Sequence, residues 1–282
     1  MNSRLQELRR EMAAKKLDAM LINAYESYRY FSGFSGSNCY LIITQAQSLL
    51  ITDGRYTEQA KLEAPNFTLI SRPRPMQELI CETLIDCASH RVGYESMKIS
   101  DYEISALRKK LSQFEWIPQI DFGARARMCK DTEELGRIRR AVEIADQALA
   151  DLIPSLRPGM REYEVSALLE YHMARHGSEH PAFETIVASG ARGALPHGAP
   201  TSKRILNGEM VTIDFGACFE GYMSDITRTL WMGDIPDSLR NIWNAVFDVQ
   251  RACVRAVRPD IPAKSLDALQ RDLFEKLSLI HI

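Results

Sequence analysis

The sequence predicts a layered α/β domain followed by a second domain in which helices precede strands. Three observations carry this. Short apolar strand-like runs alternate with helical periodicities as far as about residue 111, the order from which layered α/β domains are built. From Asp131 the character changes to two longer helices followed by strand-like runs. After Pro236 the helical pattern begins again. A shift of 101 residues superposes Ile138 on Leu239, Val142 on Trp243, Ala145 on Val246, Arg157-Pro158 on Arg258-Pro259 and Ala167-Leu168 on Ala268-Leu269, which predicts an internal duplication. The expected division is 1–125 and 126–282.

Residues 4–16 place Leu5, Leu8 and Met12 at helical spacing among alternating charges, an amphipathic helix. The apolar run 19–22 and the runs 39–44, 49–52 and 67–71 read as strands, with 56–62 helical between the last two. Arg72-Pro73-Arg74-Pro75 ends the fourth run. Helices are expected over 76–88 and 101–111, and the first domain closes near 121–128. Asp131 with Glu134 three residues on is a capping pair, followed by Leu135, Ile138, Val142, Ala145 and Leu149 at helical spacing. Pro158-Gly159 breaks that helix, and 162–176 forms a second, ended by Gly177. A strand at 185–189, a loop around His197 and a hairpin over 209–230 complete the pattern.

Composition bounds the function classes. The chain has 282 residues, 45% of them apolar, and a net charge of −2, ample for two cores and without the basic footprint of a nucleic-acid binder. The first residues lack the apolar centre of a signal peptide, and no run reaches the roughly 18 apolar residues of a membrane span. The expectation is a cytoplasmic protein with no membrane or nucleic-acid partner. Its six cysteines, Cys39, Cys81, Cys87, Cys129, Cys218 and Cys253, show no zinc or CxxC spacing and are expected as free thiols.

The hairpin is the chemically informative stretch. Val211, Ile213 and Phe215 alternate with Thr212, Asp214 and Gly216, a strand with one apolar face. The run 222–230 reads as its partner. With the turn centred between Phe219 and Glu220, Asp214 and Asp225 face each other across the strands. Directly opposed residues have Cβ atoms about 4.5–5.5 Å apart, where like charges repel. A shared proton or a cation would offset that repulsion, while two solvated aspartates on an exposed face satisfy the same spacing.

Asp214-Phe215-Gly216-Ala217, Gly221-Tyr222 and Ser224-Asp225-Ile226-Thr227-Arg228-Thr229 resemble the metal-ligand hairpin of the Xaa-Pro aminopeptidase and prolidase group of pita-bread metallopeptidases. Ile186-Val187-Ala188-Ser189-Gly190 and Leu195-Pro196-His197-Gly198-Ala199-Pro200 are similar to that family's substrate-site segment. Tyr30 to Asn38 and Thr52-Asp53-Gly54-Arg55-Tyr56 resemble its non-catalytic domain, in a form closer to aminopeptidase P. The resemblance implies a creatinase-like α/β N-terminal domain followed by an incomplete α+β pita-bread domain. It implies two divalent ions, manganese or cobalt, with Asp214 and Asp225 as ligands and His197 as a substrate-site histidine holding the scissile carbonyl. The implied reaction is hydrolysis of an N-terminal Xaa-Pro bond of a proline-containing peptide by a metal-bridging hydroxide, in a homodimer or larger homo-oligomer. A prolidase acting on dipeptides, a creatinase-type C–N hydrolase and a non-catalytic pita-bread binding module are the alternatives. The family's remaining ligands, one histidine and two glutamates, fall in its second repeat. None can be assigned in this sequence, and the tail 277–282 does not continue the family pattern, so a truncated chain and a poor enzyme are expected.

Other motifs carry less. Gly33-Phe34-Ser35-Gly36 ends in Ser37 where a nucleophile elbow needs glycine. Asp-Phe-Gly at Asp121 and Asp214 lacks the other kinase signatures. His172, His176 and His180 lie four apart, but HExxH is absent and Gly177 ends the helix; a solvated face is expected. His281 lies in the anomalous tail and takes no role.

Overall fold

The computed structural model describes residues 3–120 and 122–277. Asp121 and the tail from residue 278, His281 included, lie outside the described residues. The chain divides into two compact units between Lys130 and Asp131, compared with the expected boundary at 125/126. The helix Ala124–Met128 belongs to the first unit, where Tyr30 Oη donates to Ala126 O at 2.9 Å and Arg127 donates to Ser27 Oγ at 3.0 Å.

The first unit is built on a six-stranded sheet. Its elements run α1 (Ser3–Ala14), β1 (Ala19–Ile22), α2 (Tyr25–Ser32), β2 (Tyr40–Thr44), β3 (Ser48–Ile51), α3 (Thr57–Glu63), β4 (Thr68–Ile70), α4 (Met76–Asp86), β5 (Arg91–Glu95), α5 (Asp101–Lys110), β6 (Glu115–Gln119) and α6 (Ala124–Met128). The strand order is β4-β3-β2-β1-β5-β6. β1 lies at the change of direction, antiparallel to β2 and parallel to β5. Its period-2 alternation feeds two cores: Met20 and Ile22 join Leu5, Leu8 and Met12 of α1 on one side, and Ala19 and Leu21 join Leu79 and Leu84 of α4 on the other. A strand buried on both faces explains the unbroken apolar run Ala-Met-Leu-Ile.

The second unit contains α7 (Thr132–Leu152), α8 (Glu162–Arg175), β7 (Ile186–Ser189), β8 (Met210–Phe215), β9 (Cys218–Phe219), β10 (Tyr222–Met223), β11 (Ile226–Trp231), α9 (Asp237–Ala256) and α10 (Ala263–Lys276). The expected capping pair is present: Asp131 accepts from the Glu134 amide at 2.9 Å, and Glu134 accepts from the Asp131 amide at 2.8 Å. β7, β8 and β11 form an antiparallel sheet in the order β11-β8-β7. One face of it packs Val187, Val211, Ile213 and Phe215 against Ile144, Ala148 and Leu152 of α7 and Val165 and Leu169 of α8, each buried Val, Leu, Ile or Phe side chain contributing about 1.5–3 kcal/mol. The duplicated pattern has a structural counterpart. α8 moved by the 101-residue repeat coincides with α10, and each helix pair is joined through its Arg-Pro. Trp243 of α9 donates its indole NH to Thr229 O at 3.1 Å, which ties the second pair to β11.

Candidate functional site

The face of the β7-β8-β11 sheet opposite α7 and α8 carries the polar positions of the hairpin. Paired residues share a face, so Ile186 and Ala188 of β7, Thr212 and Asp214 of β8, and Thr227 and Thr229 of β11 all lie on it. Asp214 is half-buried and its Oδ1 accepts from Thr227 Oγ1 at 2.9 Å. Asp225 is exposed between buried Ser224 and Ile226, and this alternation assigns it to the same side as Thr227.

The register differs from the expectation. Asp214 pairs with Thr227, not Asp225, because the turn lies at Glu220-Gly221 with Phe219 opposite Tyr222. Both turn residues take positive φ, 47° and 78°, the conformation of a tight two-residue hairpin whose twist matches the strands. A displacement of two residues preserves the face and changes the partner, so Asp225 becomes a diagonal neighbour at about 7–8 Å. The two carboxylates are therefore not directly opposed across the strands, contrary to the expectation from sequence.

The hairpin is pinched where the two strands leave the ladder. Ser224 donates its amide to Ala217 O at 2.9 Å, and its Oγ accepts from the Ala217 amide at 2.9 Å while donating to Ala141 O of α7 at 3.1 Å. A Cβ on Gly216 would lie 2.0 Å from Ser224 O. Only glycine allows this approach, which fixes the stretch holding Asp225 against the strand holding Asp214.

His197 is exposed, in the loop that follows the 3-10 turn Gly190–Ala194. A Cβ on Gly198 would lie 3.1 Å from Ala188 Cβ, and one on Gly193 would lie 3.5 Å from Thr212 Oγ1. The loop thus lies over the face that holds Asp214. Its anchor is Glu162, at the start of α8 and completely buried. Ser189 donates its amide and hydroxyl to Glu162 Oε1 at 2.8 and 2.9 Å. Arg192 Nε reaches Oε2 at 3.0 Å, and Thr201 donates its amide and hydroxyl to Oε2 at 3.1 and 2.6 Å. Burial pushes this carboxyl up, but the Thr201 hydroxyl and the Ser189 amide and hydroxyl outweigh it and hold it below its ordinary value. Lys203 Nζ extends the network to Ser189 Oγ and Glu209 Oε2 at 2.8 and 2.7 Å. Sequence reasoning missed Glu162, since its partners lie far along the chain.

The three spaced histidines do not form a solvated face. His172 is buried with its Nδ1 3.6 Å from Asp151 Oδ2, because α8 turns that position toward α7. His176 Nε2 lies 2.9 Å from the same carboxylate oxygen, which holds the Asp151 carboxyl below its ordinary range. His180 lies beyond the helix, against Pro181 O.

Asp214 and Asp225 are the residues of the open face that could hold a divalent cation. Asp214 and Asp225 offer only oxygen, the donor preferred by Mn²⁺ and Mg²⁺, and the Thr227 hydroxyl steadies one carboxylate in the way outer-shell partners orient ligands. Two carboxylates supply a minority of the roughly six donors such ions take.

The chain is similar to known peptidases over nearly its whole length. Residues 136–281 match metallopeptidase family M24, and residues 4–129 match the creatinase/prolidase N-terminal domain. An Xaa-Pro dipeptidase of Pyrococcus horikoshii is 35% identical over 274 residues, 97% of this chain and 76% of that protein. The solved structure of an Xaa-Pro dipeptidase from Bacillus anthracis superposes with a TM-score of 0.94 at 31% identity, covering 99% of this chain and 78% of that one. An X-Pro aminopeptidase from Thermotoga maritima gives 0.92 at 33% identity, covering 99% and 79%. No helix among the described residues is long and apolar enough to cross a membrane. The chain therefore belongs to metallopeptidase family M24, with a creatinase/prolidase N-terminal domain ahead of a pita-bread domain.

Proposed function

We propose that the protein is a proline-specific metalloaminopeptidase that releases the residue preceding proline, with Asp214 and Asp225 holding a pair of divalent ions, manganese or cobalt, and His197 at the substrate. The observation that supports this reading is the shared open face: Asp214 lies on the side of the β7-β8-β11 sheet covered by the His197 loop, and burial alternation assigns Asp225 to that side. Bound divalent ions would supply Lewis-acid polarisation of the scissile carbonyl and acidify a water at neutral pH. Asp214 and Asp225 would hold that charge at the sheet. The Thr227 hydroxyl would keep the Asp214 carboxylate oriented. His197 would donate a hydrogen bond to the carbonyl oxygen, its loop held in place through Glu162. The free thiols fit a reducing, cytoplasmic location.

A second reading, an Xaa-Pro dipeptidase, is favoured by the names of two of the similar proteins above. The deciding experiment incubates the protein with Mn²⁺ and, separately, an Xaa-Pro-Xaa tripeptide, an Xaa-Pro dipeptide and creatine. Preferential cleavage of the tripeptide, lost in Asp214→Asn, supports the aminopeptidase. Preference for the dipeptide supports the second reading. Cleavage that persists in Asp214→Asn contradicts the assigned site under either reading.

A further inference from the structure

A short antiparallel bridge joins residues 179–182 to the strand that leaves Asp214. Ala182 donates its amide to Gly216 O at 2.8 Å, Cys218 to His180 O at 3.2 Å, and Glu179 to Cys218 O at 2.8 Å. Three metal-ligating side chains converge on this bridge. A carboxylate oxygen of Glu179, a ring nitrogen of His180 and Sγ of Cys218 all lie within 4.8 Å of one another. The separation between Cys218 Sγ and Glu179 Oε2 is 3.5 Å, close to the edge of about 3.6 Å that tetrahedral angles give for a Zn–S bond of about 2.3 Å and a Zn–O bond of about 2.1 Å.

The histidine is set for ligation. His180 Nδ1 lies 2.8 Å from Pro181 O, a carbonyl that can only accept. The proton therefore sits on Nδ1 and Nε2 carries the lone pair, the arrangement in which an outer-shell carbonyl fixes the tautomer of a metal-binding imidazole. Glu179 is also placed, because Oε2 accepts from the Gly221 amide at 3.3 Å. Glu179 and His180 are exposed and Cys218 is buried, so an ion could enter from solvent and keep a fourth position open to water.

We propose that Glu179, His180 and Cys218 bind one borderline-to-soft divalent cation, Zn²⁺ or Cd²⁺, at a site separate from the Asp214–Asp225 face. The donor sets differ in kind. Sulfur and imidazole select zinc-like ions, whereas carboxylates alone select manganese-like ones. On binding, the Cys218 thiol loses its proton to solvent and a metal–sulfur bond replaces the S–H contact to Glu179. The ion would clamp residues 179–182 onto Gly216–Cys218 and so brace the strand that carries Asp214. Because it binds the folded chain, it would raise the unfolding temperature.

The test uses chelator-treated full chain titrated with Co²⁺, whose thiolate charge-transfer absorption reports sulfur ligation, followed by displacement with Zn²⁺. One thiolate-bound Co²⁺ per chain is expected, displaced by Zn²⁺ and not by Mn²⁺. The band should persist in Asp214→Asn and Cys129→Ser and vanish in Cys218→Ser. His180→Ala, a change at an exposed side chain, should weaken Co²⁺ binding at least tenfold, and it decides the matter if Cys218→Ser disturbs folding. No thiolate band in the unaltered protein, or a band unchanged in His180→Ala, overturns the proposal. Neither readout depends on peptidase activity.

Discussion

Replacing Glu162 by Gln tests how the His197 loop is held. The substitution keeps shape but turns one acceptor oxygen into a donor facing donors: Oε1 receives the Ser189 amide and hydroxyl, and Oε2 receives Arg192 Nε and the Thr201 amide and hydroxyl. It also leaves the Arg192 charge without its counter-ion. Breaking a buried ion pair costs about 3–5 kcal/mol, and hydrogen bonds to charged groups are worth about 1.5–3 kcal/mol each. Arg192 is 27% exposed while Glu162 is 0%, so water screens part of the loss and the lower end, about 3 kcal/mol, is expected. For a unit of this size that corresponds to a fall in Tm of about 6–12 °C. Calorimetry reads the total, and amide hydrogen exchange at Ser189 and Thr201 reads it locally. A change within about 0.5 kcal/mol, with both amides still protected, would refute the claim that Glu162 anchors the loop.

Three further outcomes follow from the same geometry. The Glu162 carboxyl is held below its ordinary value of 4.5, so its contribution is complete above about pH 4.5 and is lost as pH falls through the folded value; the stability gap between the protein and Glu162→Gln should shrink in acid and stay constant at neutral pH, measured by urea unfolding. Gly216→Ala, with its Cβ 2.0 Å from Ser224 O, should cost about 3 kcal/mol or more, whereas Gly193→Ala, with no atom nearer than 3.5 Å, should stay within about 0.5 kcal/mol; equal effects would show that the pinch at Ser224 is not needed. Under native conditions a thiol reagent should modify exposed Cys129 fast and Cys39 slowly, since Cys39 is buried and burial pushes its thiol up; comparable rates at the two sites would contradict that burial.

Much of the fold was legible because periodicity and caps agree with tertiary structure. The Asp131–Glu134 pair marked the start of α7, and alternation marked the inner face of β8. Elements that tertiary contacts decide were not. α2, reading Tyr-Glu-Ser-Tyr-Arg-Tyr-Phe-Ser, is rich in aromatics that favour strands, yet it is helical because Gly33 ends it at φ 84° and Tyr28 and Phe31 fill the core. β5 holds Gly93, where a Cβ would lie 2.8 Å from Leu17 and Met20, and β6 holds Pro118, tolerated because β6 is an edge strand. Neither reads as a strand by composition. At the site, the faces of Asp214 and Asp225 followed from alternation, but the register depended on whether Glu220 would accept a positive φ. The Glu179, His180 and Cys218 cluster was hidden by chain separation, and regular spacing drew attention to His172 instead, whose place in the α7–α8 interface no sequence spacing reveals.

Under the proposed function, the open face of the β7-β8-β11 sheet would hold divalent metal through Asp214 and Asp225. Titrating the chelator-treated protein with Mn²⁺ and following free Mn²⁺ by electron paramagnetic resonance tests it most directly. Saturable binding is expected that falls at least tenfold in both Asp214→Asn and Asp225→Asn and is unchanged in Cys218→Ser. Mn²⁺ binding that neither aspartate variant alters would contradict it.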